Sequence, residues 1–444
     1  MSFRIAMVLL SAATAFAADR MATPYESIRP VLAEISPQLP AELKNHNARL
    51  FNTWAREADA KIRSRLEQGD LDSMVNLLLF GTSFTKHPRM TIENLGPETR
   101  AGLLRMRLDD LMAGLASPGD NERLTLLRNL LRTKDLPPSG NSTGAFILEN
   151  LQRVLNERVE FAARVDAAKA KSGATDTYSE HSSLFSERGV SLDTTILPNY
   201  AIDAALQELK SRGLIKDNQV TRAAVIGPGL DFIDKEAGFD YYPQQTLQPF
   251  AIRDSLQRLD LLGANSRLTI LDISPRVLEH AKQARDRASR GQPYSIQLPR
   301  DAAAHWTGPA VQYWRDFGSG IGQTVEPIAP PLANVSARAI RIPAQAVLAM
   351  DVADVNIVSQ RLDLPAAQKF DLIVATNILV YYGPFEQALA LANIAAMLKP
   401  GGFLLTNDEL PNVQAVPMRN LGHTSVTYSE SPRVGDAILW YQRQ

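Results

Sequence analysis

The sequence predicts an α/β chain, a doubly wound and mostly parallel sheet preceded by an all-helical N-terminal region. Two observations carry that expectation. From Ser36 to about Lys171 the apolar residues recur at helical spacing. After Thr221, short β-branched runs alternate with helical patterns, and such alternation builds parallel sheets. The length of 444 residues suits two or three domains at roughly 100–200 residues each. A chain that is 45% hydrophobic and 21% charged has an ordinary globular composition.

The helical elements follow from spacing. Leu43, Leu50, Phe51, Trp54, Ala58, Ile62 and Leu66 predict one helix, with Gly69 as its stop. Met74–Phe80 is a short apolar run. Leu103, Leu104, Leu108, Leu111, Met112 and Leu115 predict a helix stopped by Ser117-Pro118-Gly119, and Leu124–Leu131 predicts a third. Pro137-Pro138-Ser139-Gly140 is a loop, after which Ser142 or Thr143 caps a long helix through Leu148, Leu151, Leu155 and Val159. Residues 172–192, rich in Ser, Thr, Gly and charge, are expected to be a linker or loop.

Five strands are expected next: Thr221–Ile226, Leu268–Leu271, Ala346–Met350, Phe370–Ala375 and Phe403–Thr406. Helices are expected over Leu247–Leu262, Pro275–Ala288 and Phe385–Leu398. Ser425–Tyr428 and Ala437–Tyr441 have no helix between them and are expected to pair as an antiparallel edge.

Composition and pattern exclude several chemistries. The chain has no Cys, which removes disulfides, zinc ribbons, iron–sulfur clusters and Cys nucleophiles. The six His residues lie far apart with no i,i+3 or i,i+4 pair, so no metal site is expected. Lys and Arg number 47 against 48 Asp and Glu, and this balance argues against nucleic acid as the partner. Residues 1–18 place Arg4 before an apolar stretch that ends in Ala15-Phe16-Ala17, the pattern of a cleaved signal peptide. The expectation is export to a periplasmic or secreted location, or a cytoplasmic protein if the N-terminus is not processed. No later segment has enough consecutive apolar residues to span a bilayer.

The chemistry concentrates at strand ends. Gly227-Pro228-Gly229 follows the first strand, where open α/β sheets bind ligands. Phe232 stands where a dinucleotide fingerprint needs Gly or Ala, which lowers NAD or FAD binding. Asp272 ends the second strand, where a carboxylate can accept from a ribose diol, and Ser274-Pro275 suit the start of the next helix. Asp351 is expected at the tip of the third strand and Asn377 after the fourth.

Gly227-Pro228-Gly229, Leu271-Asp272-Ile273-Ser274-Pro275, Asp351, Phe370-Asp371-Leu372-Ile373-Val374-Ala375-Thr376-Asn377 and Leu398-Lys399-Pro400-Gly401-Gly402 come in one order. It is the order of class I S-adenosylmethionine-dependent methyltransferases, which the chain resembles over roughly residues 200–444. The stretch Thr376–Tyr382 is also similar to the chemotaxis-receptor methyltransferases, which carry a comparable Asn-x-Leu-x-Tyr segment. The resemblance implies a Rossmann-like methyltransferase fold and S-adenosylmethionine as cofactor. It implies that Gly227, Pro228 and Gly229 pass under the methionine part, and that Asp272 holds the ribose with Ile273 against adenine. Asp351 and Val352 would face the adenine, and Asn377 would sit near the transferring methyl. Tyr381 and Tyr382 join Asn377 as candidates to position a substrate. The implied division is a signal peptide over 1–18, a helical domain over 24–171, a linker over 172–198 and a methyltransferase-like domain over 199–444.

The sequence departs from the family at Val225, where an acidic residue is common, and at Asp231, where the loop usually has its third Gly. Residues 231–246 and 289–344 are inserts, the second carrying His305-Trp306 and Tyr313-Trp314-Arg315 as a substrate wall or a small packed subdomain. Two functions stay open at this point. One is a methyltransferase with an unidentified small-molecule or protein substrate. The other is an exported, non-catalytic binding protein that keeps the fold, since S-adenosylmethionine is made in the cytoplasm.

Overall fold

Heptad-like apolar spacing does fold the first part of the chain into helices, but the longest of them ignores its expected stop. The structure is a computed structural model that describes residues 19–45, 47–90, 97–171, 189–233, 239–431 and 433–444. A short strand β1 (Arg20–Ala22) leads into helices α1 (Tyr25–Glu34) and α2 (Ala48–Phe80). Asn47 caps α2 by accepting from the N–H groups of Arg49 and Leu50. The helix then continues through Gly69 and takes in the Met74–Phe80 run. Gly69 is therefore not a stop; a Cβ there would overlap the Val190 carbonyl, so its small size serves close packing. Helices α3 (Pro97–Ala116), α4 (Glu122–Thr133) and α5 (Asn141–Lys171) follow. Asn121 caps α4. Thr143 lies inside α5, and its hydroxyl donates to the Pro137 carbonyl.

Residues 172–188 of the expected linker lie outside the described residues, as does the expected signal peptide. The end of that stretch is no linker: Val190 and Leu192 are buried. After it come α6 (Leu197–Ser211), β2 (Val220–Ile226), α7 (Gln248–Arg258), β3 (Leu262–Asp272) and α8 (Pro275–Ser289). The second insert is a packed subdomain, built from β4 (Tyr294–Asp301), α9 (Gly308–Asp316), β5 (Gln323–Val325) and β6 (Val335–Ile342). Its three strands form an antiparallel sheet in the order β4-β6-β5.

The expected third strand is displaced. Ala344–Leu348 forms a short helix, α10, behind Pro343, and strand β7 (Met350–Asp354) begins only afterwards. Ala346 and Val347 are buried on that helix, so their apolar run reads equally as a strand until tertiary packing decides. The chain ends with β8 (Gln360–Leu362), β9 (Phe370–Ala375), α11 (Pro384–Met397), β10 (Leu398–Thr406), β11 (Met418–Glu430) and β12 (Arg433–Arg443).

Seven strands make the main sheet in the order β11-β12-β10-β9-β2-β3-β7. The five from β10 to β7 are parallel, and β12 and β11 complete the edge as an antiparallel hairpin, as expected. This is the doubly wound, mostly parallel fold that the sequence predicted. From β2 the chain builds outward to β3 and β7, then crosses back to β9 and β10. The reversal opens a crevice at the carboxyl ends of β2 and β9.

Alternation along β2 divides the cores. Ala224 and Ile226 point to one face, where they join Ile28, Leu32, Phe51, Ile62 and Leu66 of α1 and α2 and most of α11. Ala223 and Val225 point to the other, with α6, α7 and the small sheet. A third core joins the end of α2 to α3, α4 and α5, and includes Phe232 and Ile233 from the glycine loop. The helical region thus shares one core with the sheet and another with the loop after β2. Strand β1 pairs with β8 and adds a covalently distant tie.

Candidate functional site

Strand β2 ends at Ile226, and the chain turns at once through Gly227 and Gly229, with φ of 63° and 69°. Such angles suit Gly and few other residues. The Gly227 N–H donates to the Leu271 carbonyl at 2.8 Å, which fixes the turn against β3. A Cβ on Gly227 would overlap the Ile378 side chain, and one on Gly229 would overlap the Leu192 carbonyl. The loop is therefore close-packed between the segment after β9 and residues 190–193.

A pocket opens there. Gly227, Gly229, Asp272, Ile273, Tyr381 and Tyr382 line it. Apart from Ser191, the remaining walls are apolar: Ile226, Leu271, Val355, Ile357 and Ile378 from the sheet side, Ile62 and Leu66 from α2, and Val190 and Leu192.

Asp272 is the charged group of this pocket. It is 5% exposed. Its Oδ1 accepts the Ser274 N–H at 2.7 Å, so the carboxylate, not the Ser274 hydroxyl, closes the turn before α8. Its Oδ2 is buried and has no hydrogen-bond partner among the described residues. Burial pushes the carboxyl up to about 7, against the pull of the Ser274 and Ile273 N–H groups, while Asp354 raises it further and Arg63 lowers it. An orphaned carboxylate oxygen in an apolar pocket costs free energy unless a ligand satisfies it.

Asp351 does not join this pocket. Because β7 starts at Met350, Asp351 lies beside Thr269, at the amino end, and the tip residue beside Asp272 is Asp354. Asp351 is paired with Arg267 at 2.5 Å. Val352 lies beside Ile270 and packs in the opposite core. Asp354 in turn is held by Arg63 at 2.7 Å and Arg20 at 3.1 Å.

Asn377 follows β9 in the left-handed region, at φ 58°. Its N–H donates to Asn407 Oδ1 at 2.8 Å, and its own Oδ1 accepts from Asn407 Nδ2 at 2.7 Å. It sits at the edge of the crevice, outside the pocket lining. Tyr381 and Tyr382 lie within the lining, carried there by the turn Leu379–Tyr381. The Tyr381 hydroxyl accepts the Ser191 N–H at 3.1 Å. The Asp371 of the fourth-strand motif is structural: it accepts from Thr221 and Arg222 N–H and from Lys399 Nζ, tying β9 to β2.

Sequence reading missed the roof. One face of α2 presents Asp59, Arg63, Leu66, Asp70 and Ser73 at steps of three and four, with Ile62 beside Arg63. Arg63 donates to the Ile273 carbonyl at 3.0 Å and Asp59 accepts from Asn356 at 2.9 Å. The Arg65 carbonyl accepts the Val190 N–H, Asp70 pairs with Arg276 of α8, and Ser73 donates to Asp193. The polar beat along a long helix was visible in the sequence; its target was not.

No protein-family model matches the sequence, and no curated protein matches it. Solved structures that resemble the chain include mitomycin 7-O-methyltransferase MmcR, at 12% identity over 88% of this chain and 100% of that one, with a TM-score of 0.32. TrmN from Thermus thermophilus is 12% identical over 56% of this chain and 52% of that one, with a TM-score of 0.26. Magnesium protoporphyrin IX methyltransferase (ChlM) from Synechocystis PCC 6803, solved with bound SAM, is 10% identical over 56% of this chain and 80% of that one, with a TM-score of 0.26. At these values the likenesses carry no weight on what the chain does.

Proposed function

We propose that the chain is an S-adenosylmethionine-dependent methyltransferase acting on a small-molecule or protein acceptor. The observation that carries this reading is the buried, unpartnered Oδ2 of Asp272 in an apolar pocket beside the glycine turn. A ribose diol offers the hydroxyl donors such an oxygen lacks. Ile273, Val355 and Ile357 give apolar side chains for a purine base to pack on. Gly227 and Gly229, with Pro228 between them, bring backbone close to the methionine end. When bound, the cofactor supplies an electrophilic methyl group on a sulfonium.

The protein's own contribution is placement. Tyr381 and Tyr382 wall the pocket, α2 and Val190–Leu192 line it opposite the sheet, and Asn377 at the crevice edge is proposed to orient the nucleophile. Asp351 and Val352 take no part in this reading, and Asp354 takes the place at the strand tip.

Calorimetric titration with S-adenosylmethionine tests it. Asp272→Ala should weaken binding by about 2–3 kcal/mol, the scale of losing charged hydrogen bonds, while the fold survives. Equal affinities would remove Asp272 from the site. No binding by the parent protein would leave the fold as a non-catalytic module.

A further inference from the structure

Asp351, displaced from the pocket, belongs instead to a group of arginines at the amino ends of the strands. Arg267 of β3 grips it with two donors, Nε to Oδ2 at 2.7 Å and Nη2 to Oδ1 at 2.5 Å. Arg285 of α8 stands 3.9 Å from the same Oδ1, and its Nη1 donates to the Leu348 carbonyl at 3.1 Å. Arg222 of β2 is the register partner of Arg267 on the neighbouring strand. Arg253 comes from α7, which packs against β3, and its charge acts on that of Arg267.

The charges in this corner do not cancel. Asp351 is 7% exposed and is taken by Arg267 and Arg285, whose side chains stay 21% and 22% exposed. Asp371 is taken by Lys399 at 2.6 Å, and the exposed Asp286 acts on Arg285. Arg253 is half-buried and makes no hydrogen bond or ion pair among the described residues. Burial pushes its guanidinium down, and Arg267 pushes it further. A buried cation normally has a partner, and like charges side by side in a sheet repel.

Donors are left over as well. Arg267 spends Nε and Nη2 on Asp351 and keeps Nη1. Arg285 spends Nη1 and keeps Nε and Nη2, and Arg253 keeps its whole fork. Planar guanidinium forks match the oxygens of a phosphate, and its charge of about −1.5 to −2 is what this corner lacks.

We propose that this corner binds a phosphate group, free or as the end of a phosphomonoester, held by Arg253, Arg267 and Arg285. It lies at the opposite end of the strands from the glycine turn, so it is separate from the S-adenosylmethionine site and stands without the methyltransferase reading.

The probes are sodium phosphate, glycerol 3-phosphate and, at matched ionic strength, sodium nitrate, each titrated into the full chain at about pH 7.5. Phosphate or its monoester should bind with a Kd of about 1 mM or tighter, and at least about ten-fold tighter than nitrate. Arg253→Gln and Arg285→Gln should each weaken that binding by about ten-fold or more. Arg315→Gln, on the exposed side of α9, should stay within about two-fold of the parent. In chloride, Arg253→Gln should not lower Tm, because no pair is lost, yet the rise in Tm that phosphate gives the parent should be missing. A monoester that binds as tightly as phosphate supports the site as one for a terminal phosphoryl group, and a monoester about ten-fold weaker supports it as one for the free ion. Binding no tighter than nitrate, or indifferent to both variants, overturns the proposal. So does a lower Tm of Arg253→Gln in chloride, which would give Arg253 a structural partner.

Discussion

Two carboxyl groups behave alike at opposite ends of the crevice. Asp272 and Asp408 are both buried and both pushed up to about 7, and each has one oxygen without a partner among the described residues. Asp408 accepts the N–H groups of Val380 and Leu379, so it holds the turn that carries Tyr381 and Tyr382. The folded protein keeps the Asp408 proton that the unfolded chain releases from about pH 4 upward. Its contribution to stability is thus present at low pH and is lost as the pH climbs to about 7. Asp408→Asn cannot lose that proton. The difference in Tm between variant and parent should therefore become more positive from about pH 4 to about pH 7.5, and thermal melts across that range check it. His280, pushed down to about 4 by burial and by Arg287 and Arg276, works the other way, but it does so in both proteins and cancels from the difference. A difference that is flat with pH would show Asp408 ionised in the folded state. Asp272 and the glycines of the turn were legible in the sequence because strand tips and Gly-x-Gly turns are local signals. Asp354 was not, because the start of β7 is set by how α10 packs.

At the scale of elements, a helix can obey its apolar spacing and still hide what it is for. The spacing of α2 was legible through Leu66, but Gly69 reads as a stop in any single sequence, because the chain that needs its space arrives more than a hundred residues later. In an open helix, Gly→Ala stabilises by up to about 1 kcal/mol. Gly102 in α3 has nothing within 4 Å of an added Cβ, so Gly102→Ala should show that gain. At Gly69 the added carbon meets the Val190 backbone, and overpacking costs about 1–3 kcal/mol. Gly69→Ala should then lower the denaturant midpoint where Gly102→Ala raises it. A gain at both positions would mean that residues 190–193 yield freely. The strands of the main sheet were mostly legible, since β-branched runs between helices have few other readings. The exception, Ala346–Met350, is a five-residue apolar run, too short for periodicity to separate helix from strand. The small sheet of the insert had no local signature strong enough to be found.

Across the whole molecule, the helical region and the sheet are not separable pieces. Ile28, Leu32, Phe51 and Ile62 lie in one core with Ile226, Leu271 and Phe385, and Arg123 of α4 donates to the carbonyls of Phe232 and Tyr242 beside the glycine loop. A fragment over residues 199–444 would expose that shared apolar face, so it should bind a hydrophobic dye and melt without a cooperative transition. A sharp transition in the fragment would show that the sheet holds its own core. No helix among the described residues is long and apolar enough to cross a membrane, and the expected export signal at residues 1–18 lies outside them. The hairpin at the sheet's edge has a different kind of consequence. Strand β11 has 13 residues and an open side, the sort of border on which a stray chain can add itself. Its register with β12 slips twice, at Asn420–Gly422 and at Thr427–Ser429, and Trp306 covers part of what is left. A border kinked at two points offers no long straight run to copy, so concentrated solutions of the protein are guarded against fibre growth by irregularity rather than by closure.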